Sequence, residues 1–315
     1  MGNGNLIFFG TAAIALPFLR ALRDTFDLRL IITQPDAVGG RSRKPLPPAV
    51  KSFATAEDIP CIQPEKLRSP EVSEQILAYS PRIAVVVAYG KIIPKSIFSL
   101  PEHHTVNVHF SLLPAYRGAA PVQRAIENGD TTTGITIFEI DRQMDTGDIW
   151  AQRQYPIGAA DTSASVLERL SREGVPFLID TLREILRGGL KKTPQDPTRA
   201  TPAPPITKEE GRVDWTEPAS RLVNRLRAFT PWPGLYFYTG EKMFKIREMT
   251  AHAGGMRGES PQGESGTVLR LDREGLLVAC GSGTEVVISE FQPQGKRAMH
   301  PFAYSLGNPM PRRLN

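Results

Sequence analysis

The stretch RIAVVVAYG, residues 82–90, decides the fold of the N-terminal part of this chain. Its centre is a continuous aliphatic run without alternation, which is typical of a strand buried on both faces of a sheet. Apolar runs at residues 5–10, 28–34 and 105–110 predict further strands, and helical patterns lie between them. Strands that alternate with helices in this way predict a parallel sheet covered on both faces. We therefore expect an α/β fold with a Rossmann-like, mostly parallel sheet in the N-terminal domain.

Helices with an apolar periodicity separate these strands and follow them. They are predicted at residues 12–26, 49–57, 70–80, 119–129 and about 162–187, with a further strand at 133–140. The first strand–helix turn reads GTAAIA, residues 10–15, and lacks the GxGxxG pattern of dinucleotide-binding turns. A Walker-type glycine–lysine loop is also missing from the sequence. These two observations argue against a dinucleotide dehydrogenase and a P-loop enzyme.

The C-terminal third of the chain has a different organisation. Residues 188–205 are rich in Pro, Gly and Thr and predict an extended, stiff linker. Beyond it, short strand-like runs separated by glycine turns predict a small β-barrel or sandwich, and we expect an OB-like β-barrel. The predicted division is a first domain over 1–187, a linker over 188–205 and a C-terminal domain over 206–315.

Composition and charge narrow the class of protein. The 315 residues carry a formal net charge of +5, of which residues 1–186 contribute −1 and the rest +6. This basic surplus fits a polyanionic partner, although a solvated basic surface would give the same number. Cys61 and Cys280 match no metal or redox spacing and indicate a reducing compartment. The five histidines form no HExxH pattern, so we expect no metal.

The apolar N-terminal run at residues 6–19 imitates part of a targeting signal. No basic residue precedes it, Gly10 and Pro17 interrupt it, and it is too short to span a bilayer. Position 6 is Leu where a myristoylation motif has Ser or Thr. We expect a cytoplasmic protein without a membrane partner, and a monomer.

Three polar residues are the candidates for chemistry. Asn107 and His109 are two apart on a predicted strand and therefore share a face, at the end where open α/β sheets bind ligands. Asp145 lies in a polar loop after the next strand, where it could favour the imidazolium form of His109. Together they suggest an acyl-transfer site without a covalent nucleophile. Taken singly, Asn107 could instead cap a turn and His109 could be a core histidine.

The residues after this strand, SLLPAYRG at 111–118, follow neither a helical nor a strand period. Their backbone N–H and C=O groups need partners outside regular structure. A bound polar heterocycle could supply those partners.

The longest motif around these residues carries a resemblance. NVHFSLLPAYRGAAPVQRAIENGDTTTGITI (107–137), followed by DTGDI (145–149), resembles the folate-dependent formyltransferase family. The likeness covers nearly the whole chain, and segments such as PITKEEGRVDW (205–215) and RAFTPWPGLY (227–236) are similar to members that act on methionyl-tRNA. One departure is the first turn, where the family usually reads GTPxFA and this chain reads GTAAIA.

The resemblance implies roles for individual residues. Asn107, His109 and Asp145 would surround the formyl group of 10-formyltetrahydrofolate: Asn107 would donate a hydrogen bond to the developing oxyanion, and His109 would stabilise that charge or relay a proton. Asp145 would orient the His109 ring and raise its pKa. The positions that correspond to folate-binding residues are Ser111, Leu112, Leu113, Pro114, Ala88, Tyr89, Gly90, Lys91, Ile92 and Ile93.

A basic loop completes the predicted sites. Arg41, Arg43, Lys44 and Lys51 lie between Ala37 and Ala56 without an acidic residue among them. In the resembling enzymes this insertion reaches the acceptor end of tRNA, so Arg41, Arg43 and Lys44 are the predicted tRNA-binding residues. A solvated basic loop is the alternative.

The expected function is transfer of the formyl group from 10-formyltetrahydrofolate to the α-amino group of initiator methionyl-tRNA. Two alternatives stay open at this point. One is a formyltransferase that acts on an amino sugar nucleotide or a purine precursor, and the other is a catalytically inert RNA-binding protein.

Overall fold

A computed structural model describes residues 5–39, 44–252 and 263–315. Contacts between Cα atoms divide the chain into two units. The first comprises Met1–Pro121, Thr132–Pro156 and Val166–Pro204, and the second comprises Val122–Thr131, Ile157–Ser165 and Pro205–Asn315. Within the described ranges, no helix combines the length and the apolar composition that crossing a bilayer requires.

The secondary structure begins with alternating strands and helices and ends with consecutive strands. The strands are β1 (Asn5–Gly10), β2 (Asp27–Ile32), β3 (Ala37–Gly39), β4 (Lys44–Leu46), β5 (Cys61–Ile62), β6 (Ile83–Val87), β7 (His104–His109), β8 (Arg117–Gly118), β9 (Thr132–Glu139), β10 (Ile149–Pro156), β11 (Pro202–Ala203), β12 (Tyr236–Thr239), β13 (Lys242–Ala251), β14 (Val268–Asp272), β15 (Gly275–Ala279) and β16 (Glu285–Pro293). The helices are α1 (Leu16–Thr25), α2 (Ala49–Ala56), α3 (Pro70–Leu77), α4 (Lys95–Phe98), α5 (Pro121–Glu127), α6 (Ser163–Arg187), α7 (Ala219–Ala228) and α8 (Pro301–Ser305).

The first unit is built on a seven-stranded sheet with the order β10-β9-β7-β6-β1-β2-β5. Strands β5, β2, β1, β6 and β7 are parallel, whereas β9 pairs antiparallel with β7 and β10 antiparallel with β9. All five residues of β6 are buried, as its aliphatic run predicts. The expectation of a Rossmann-like, mostly parallel sheet is confirmed.

Helices pack on this sheet through apolar faces that the sequence shows clearly. In α1 the buried side chains are Phe18, Leu19 and Leu22, at the spacing of one helical face. The apolar parts of the strands lie in the core, and polar residues follow where each strand leaves it, at the edge where open α/β sheets bind ligands.

The second unit contains a five-stranded antiparallel sheet with the order β12-β13-β16-β15-β14. Its inner face is aromatic, with the rings of Phe237, Phe244 and Phe291 within 5.1–6.3 Å of one another. The last residues of the chain join the two edge strands. Asn315 and Tyr238 exchange two backbone hydrogen bonds of 2.9 and 3.2 Å, and Val268 N–H donates to the carbonyl of Arg312 at 2.8 Å. These bonds close the curled sheet, as an OB-like β-barrel requires.

Two segments that precede residue 205 in sequence lie in the second unit, 122–131 and 157–165. A buried ion-pair cluster accompanies the first of them: Glu127, 8% exposed, faces Arg225, 7% exposed, across 3.8 Å. Charged groups at this depth are held by their partners. The boundaries expected at residues 187 and 205 stay a prediction.

Candidate active site

A cavity of about 470 Å³ opens at the carboxyl ends of β6 and β7 in the first unit. It brings together Asn107, His109 and Asp145 with the segment Ala88–Ile93. The carboxyl edge of a parallel sheet is where strand order and loop geometry leave room for a ligand. Apolar parts of the wall come from Val86, Val108, Phe110, Phe138, Ile140 and Met144.

Asn107 presents its amide to this cavity from the middle of β7. It lies opposite Phe138 of β9, while His109 lies opposite Thr136, so all four side chains are on one face of the sheet. Asn107 is half-buried, and none of the described residues provides a hydrogen-bond partner for its amide. A half-buried amide without a partner in the protein is available to a ligand.

His109 is held from both ring nitrogens. Its Nε2 lies 2.9 Å from the carbonyl oxygen of Tyr116, and its Nδ1 lies 3.7 Å from Oδ2 of Asp145. A carbonyl can only accept, so Nε2 carries the hydrogen. In the neutral ring Nδ1 therefore has the free lone pair, and it is the nitrogen that can take up a proton. The ring of Phe138 packs edge-on against the imidazole with 6.3 Å between centroids.

The environment of His109 keeps the ring neutral. Burial lowers the pKa of His109 below its usual 6.5, and the nearby Asp145 carboxylate and the Tyr116 carbonyl offset only part of that effect. Asp145 does raise the pKa of His109, as expected from the sequence. Desolvation lowers that pKa by more, because the His109 side chain is only 6% exposed. A neutral imidazole at neutral pH is suited to accept a proton.

The low pKa predicts a pH-dependent stability. The unfolded chain binds a proton at His109 near pH 6.5, whereas the folded protein binds it only at lower pH, so the contribution to stability is complete above 6.5 and is lost as the pH falls toward the folded-state pKa. Between pH 7.5 and 5.5 we expect the free energy of unfolding of the wild type to fall by up to about 1 kcal/mol more than that of His109→Gln. Urea denaturation at both pH values measures this, and equal changes in the two proteins would contradict it.

Asp145 reaches His109 from a loop that folds back over the sheet. Its Oδ2 accepts a 2.8 Å hydrogen bond from the backbone N–H of Gly118. The backbone of Asp145 has φ 55°, a conformation that is uncommon for a residue other than glycine. Gly147, two residues later, passes so close to Glu139 that a Cβ would lie 1.7 Å from its carbonyl oxygen. The glycine of the DTG sequence is therefore required by this close approach.

The segment Ala88–Ile93 forms the other wall of the cavity. Ala88 and Gly90 have positive φ angles of 47° and 80°, so the chain turns sharply as it leaves β6. Thr11 fixes the turn: its hydroxyl donates to the carbonyl of Tyr89 at 2.8 Å and its N–H to that of Ala88 at 3.2 Å. Both contacts are made by Thr11 and not by Ala12 or Ile14. Ile92 is 74% exposed at the cavity.

The SLLP segment corrects one argument from the sequence. Its backbone groups find partners within the protein: Leu113 N–H donates to Oγ1 of Thr136 at 3.1 Å, and the Leu113 carbonyl accepts from Gln152 at 2.7 Å. These groups therefore do not need a ligand as their partner, because neighbouring strands of the same sheet supply partners for them. Ser111–Pro114 do not line the cavity, and their role in folate binding stays a prediction.

The predicted tRNA-binding loop lies only partly within the described residues. Arg41 and Arg43 lie outside the described residues, and Lys44 begins β4. Lys51, which the sequence groups with them, has a partner: its Nζ lies 2.8 Å from both carboxylate oxygens of Asp36. The charge of Lys51 is therefore neutralised at the base of the loop.

Sequence reasoning missed three contributors to the site. Phe138 was detectable in principle, because the alternation of its strand puts it on the face of Asn107. The Tyr116 carbonyl and the Gly118 N–H are backbone groups in a segment without periodicity, and no sequence signal marks them. Among the described residues no three His, Cys, Asp or Glu side chains converge as metal ligands would, and the expectation of no metal stays a prediction.

Comparison with known proteins agrees with this geometry. Residues 5–182 match the family described as Formyl transferase, and residues 205–308 match Formyl transferase, C-terminal domain. The methionyl-tRNA formyltransferase of Myxococcus xanthus is 41% identical over 308 residues, which cover 98% of this chain and 96% of that protein.

Two solved structures share the fold at low identity. The methionyl-tRNA formyltransferase of Clostridium thermocellum has a TM-score of 0.56 at 19% identity, over 80% of this chain and 95% of that one. HypX of Aquifex aeolicus in complex with tetrahydrofolic acid has a TM-score of 0.59 at 19% identity, over 97% of this chain and 47% of that one. With both domain families matched in order and a close relative aligned over almost its full length, this chain belongs to the formyl transferase family, among the methionyl-tRNA formyltransferases.

Proposed function

We propose that this enzyme transfers the formyl group of 10-formyltetrahydrofolate to the α-amino group of initiator methionyl-tRNA, as a cytoplasmic monomer. The observation that carries the proposal is the pairing of an available Asn107 amide with a neutral, fixed His109 in one cavity. An amide donor and a base, without a nucleophilic Ser or Cys beside them, suit direct attack of an amine on a formyl carbon. The 41% identical relative supports methionyl-tRNA as the acceptor.

The residues take separate parts in the reaction. Asn107 donates a hydrogen bond to the formyl oxygen, on which negative charge develops as the amine attacks. Nδ1 of His109 accepts the proton that the amine loses, and the resulting imidazolium is stabilised by Asp145 at 3.7 Å. Asp145 thus acts on the charged form of the ring, while burial keeps the resting form neutral.

The folate is proposed to bind along Ala88–Ile93. A cavity of about 470 Å³ has room for a bicyclic ring, and its apolar walls suit the ring faces. Ile92 supports this placement, because an exposed aliphatic side chain at the rim gains from being covered by a planar ligand. Ser111–Pro114 are proposed to contribute from the neighbouring strand end.

The tRNA is proposed to contact the basic loop with Arg41, Arg43 and Lys44, and the C-terminal domain. In that domain the outward side of β12 and β13 carries Tyr236 and Tyr238, whose rings meet edge-on at 5.8 Å. Half-exposed aromatic rings beside cations are the usual surface for single-stranded or looped RNA. We name this surface the tyrosine face.

In the described part of the chain the cations Arg212, Lys245 and Arg247 at the tyrosine face form no ion pair, although the Glu209 carboxylate lies near Tyr236 and adds to burial in raising its pKa. The guanidinium of Arg212 lies 5.8 Å from the Tyr238 ring centroid, and Lys245 is paired with Tyr236 across the strands. Partial burial and the neighbouring Arg247 lower the pKa of Lys245. Two adjacent cations that repel each other gain from an anion placed between them.

The tyrosine face predicts a salt-dependent defect. In Lys245→Ala/Arg247→Ala we expect the KM for tRNA to rise by roughly tenfold at low salt, with kcat unchanged, and the effect to shrink as salt increases because fewer counterions are released. Arg270→Ala is the matched control, since Arg270 of β14 is already paired with Asp272 and Glu274. A double variant with the wild-type KM at low salt would remove this face from tRNA binding.

The reaction itself is tested by product analysis. The enzyme is incubated with 10-formyltetrahydrofolate and initiator or elongator methionyl-tRNA, and formylmethionine is measured after hydrolysis of the ester. Formylation of the initiator alone is expected. Failure to formylate the initiator would overturn the proposed function, equal rates on both tRNAs would overturn the selectivity, and product on an amino sugar nucleotide instead would favour that alternative.

A further inference from the structure

The segment that the sequence presents as a linker is part of the catalytic unit. Thr193 and Ile149 exchange backbone hydrogen bonds of 2.8 Å. Further along, β11 pairs in parallel with β8, the two-residue strand that contains Gly118. Gly118 approaches Ala203 so closely that a Cβ would lie 2.4 Å from its carbonyl oxygen. These contacts fasten residues 193–203 beside the loops that carry the site.

Gln195 in this segment binds the loop of Asp145 directly. Its Nε2 donates to the carbonyl of Asp145 at 2.9 Å and to the carbonyl of Gly147 at 2.8 Å. Its Oε1 accepts two hydrogen bonds from Arg117, from Nε at 3.1 Å and from Nη2 at 2.7 Å. All four hydrogen-bonding positions of the amide are therefore used. The orientation is unambiguous, because a guanidinium only donates and a carbonyl only accepts.

The hydrogen bonds of Gln195 hold a residue whose backbone conformation is unfavourable. Asp145 has a positive φ, which a non-glycine residue keeps only if its surroundings hold it there. Gln195 binds the carbonyls of Asp145 and Gly147, the two neighbours of Thr146. The N–H of Gly118 donates to the carboxylate of Asp145. Arg117 and Gly118 are neighbours in β8, so one short strand fixes both the backbone and the side chain of Asp145.

We propose that Gln195 is a positioning residue that sets the Asp145 carboxylate against Nδ1 of His109, so that the linker completes the active site. The proposal rests on the role proposed above for Asp145. Gln195 does not line the cavity and acts through Asp145. Without the amide, the loop is free to relax from the positive φ, and the carboxylate moves away from the imidazole.

The test uses the full-length enzyme with Gln195→Ala and Gln195→Glu. Gln195→Glu keeps an acceptor for Arg117 but cannot donate to the two carbonyls, so it separates the loss of these bonds from a general loss of folding. We expect both variants to lower kcat by about tenfold or more while KM for the folate changes little, since the partly buried hydrogen bonds that fix the loop are lost. Gln75→Ala, which changes an exposed glutamine on α3 that does not line the cavity, is the matched control with wild-type activity.

A direct readout at His109 does not depend on the reaction. NMR titration of the imidazole, assigned with His109→Gln, should give a lower pKa in both Gln195 variants than in wild type, because Asp145 raises that pKa and would now be farther away. In an Asp145→Asn background, Gln195→Ala should leave both the pKa and kcat unchanged within about twofold.

The outcomes separate the two proposals. A wild-type His109 pKa in the Gln195 variants, or a Gln195→Glu enzyme with wild-type kcat, would overturn the positioning role. An effect of Gln195→Ala that persists at full size in the Asp145→Asn background would also overturn it. If the protein formylated no tRNA at all, the titration would still decide whether Gln195 positions Asp145.

Discussion

Replacing Asn107 with alanine is expected to lower kcat by roughly 10²- to 10³-fold, the effect of removing one pre-positioned donor to a developing oxyanion. The amide faces the cavity and has no hydrogen-bond partner among the described residues, so it is free to bind the formyl oxygen as we propose. The hydrogen bond from the Asn107 amide to the formyl oxygen strengthens as negative charge develops on that oxygen. The loss should therefore appear in kcat, and KM for the folate and for tRNA should change by less than about threefold.

The same observation predicts that stability is spared. Removing a side chain destabilises a protein when it leaves a buried hydrogen-bond partner unsatisfied. The Asn107 amide has no such partner among the described residues, so Asn107→Ala leaves none unsatisfied. We expect the melting temperature to stay within about 2 °C of the wild type. Asn107→Asp is the sharper variant, since it keeps the size of the side chain and replaces a donor by a charged acceptor; it should be at least as defective. Near-normal kcat in either variant would take Asn107 out of the mechanism.

The sheet could be predicted because continuous apolar runs mark strands that are buried on both faces. The shared face of Asn107 and His109 could be predicted because residues two apart in a strand point the same way. The run at residues 82–90 gave the buried β6, and the alternation around residue 107 placed two polar groups on one side. Such patterns need no knowledge of distant residues. The predicted helices also match the structure closely; the pattern at 162–187, for example, is α6 at Ser163–Arg187.

Strand β10 was missed for a physical reason. It lies at the edge of the sheet, and Gln152, Arg153 and Gln154 are all exposed, so neither an apolar run nor an alternation marks it. The contacts of Gln195 could not be predicted from the sequence for a different reason. This residue stands in a proline-rich segment whose composition suggests a tether, and its contacts with Asp145 and Gly147 join residues about 50 positions apart.

The sign of the His109 pKa shift also lay beyond the sequence. Motif spacing suggests that Asp145 is near, and proximity of a carboxylate alone predicts a raised pKa. How far the ring is buried depends on Phe138 and on the fold of the following loop, and that burial reverses the net direction. At neutral pH the resting side chain is therefore an uncharged imidazole rather than an imidazolium.

The second large effect on kcat is expected at His109, the residue that we propose as the general base. His109→Ala is expected to lower kcat by about 10²- to 10⁴-fold, the range for a lost general base, with a much smaller change in folate binding. The Tyr116 carbonyl fixes the hydrogen on Nε2 and leaves Nδ1 to accept the proton. Single-turnover formylation at saturating folate measures the chemical step, and a separate binding titration measures the folate. A variant with wild-type turnover would exclude proton transfer through His109.

The pH profile of kcat then identifies the group that accepts the proton. A base must be neutral to act, so the rate falls as the pH drops through the His109 pKa, and the midpoint should lie below 6.5. Asp145→Asn removes the interaction that raises this pKa and should move the midpoint to still lower pH, with a reduced plateau because the imidazolium loses its counter-charge. The substrate amine contributes equally to the pH profiles of the wild type and of Asp145→Asn. A difference between the two profiles therefore comes from a group of the enzyme. Asp148→Asn, which removes a carboxylate from the same segment without reaching His109, should leave the midpoint in place. A midpoint that shifts upward in Asp145→Asn, or shifts equally in Asp148→Asn, would show that the limb belongs to another group.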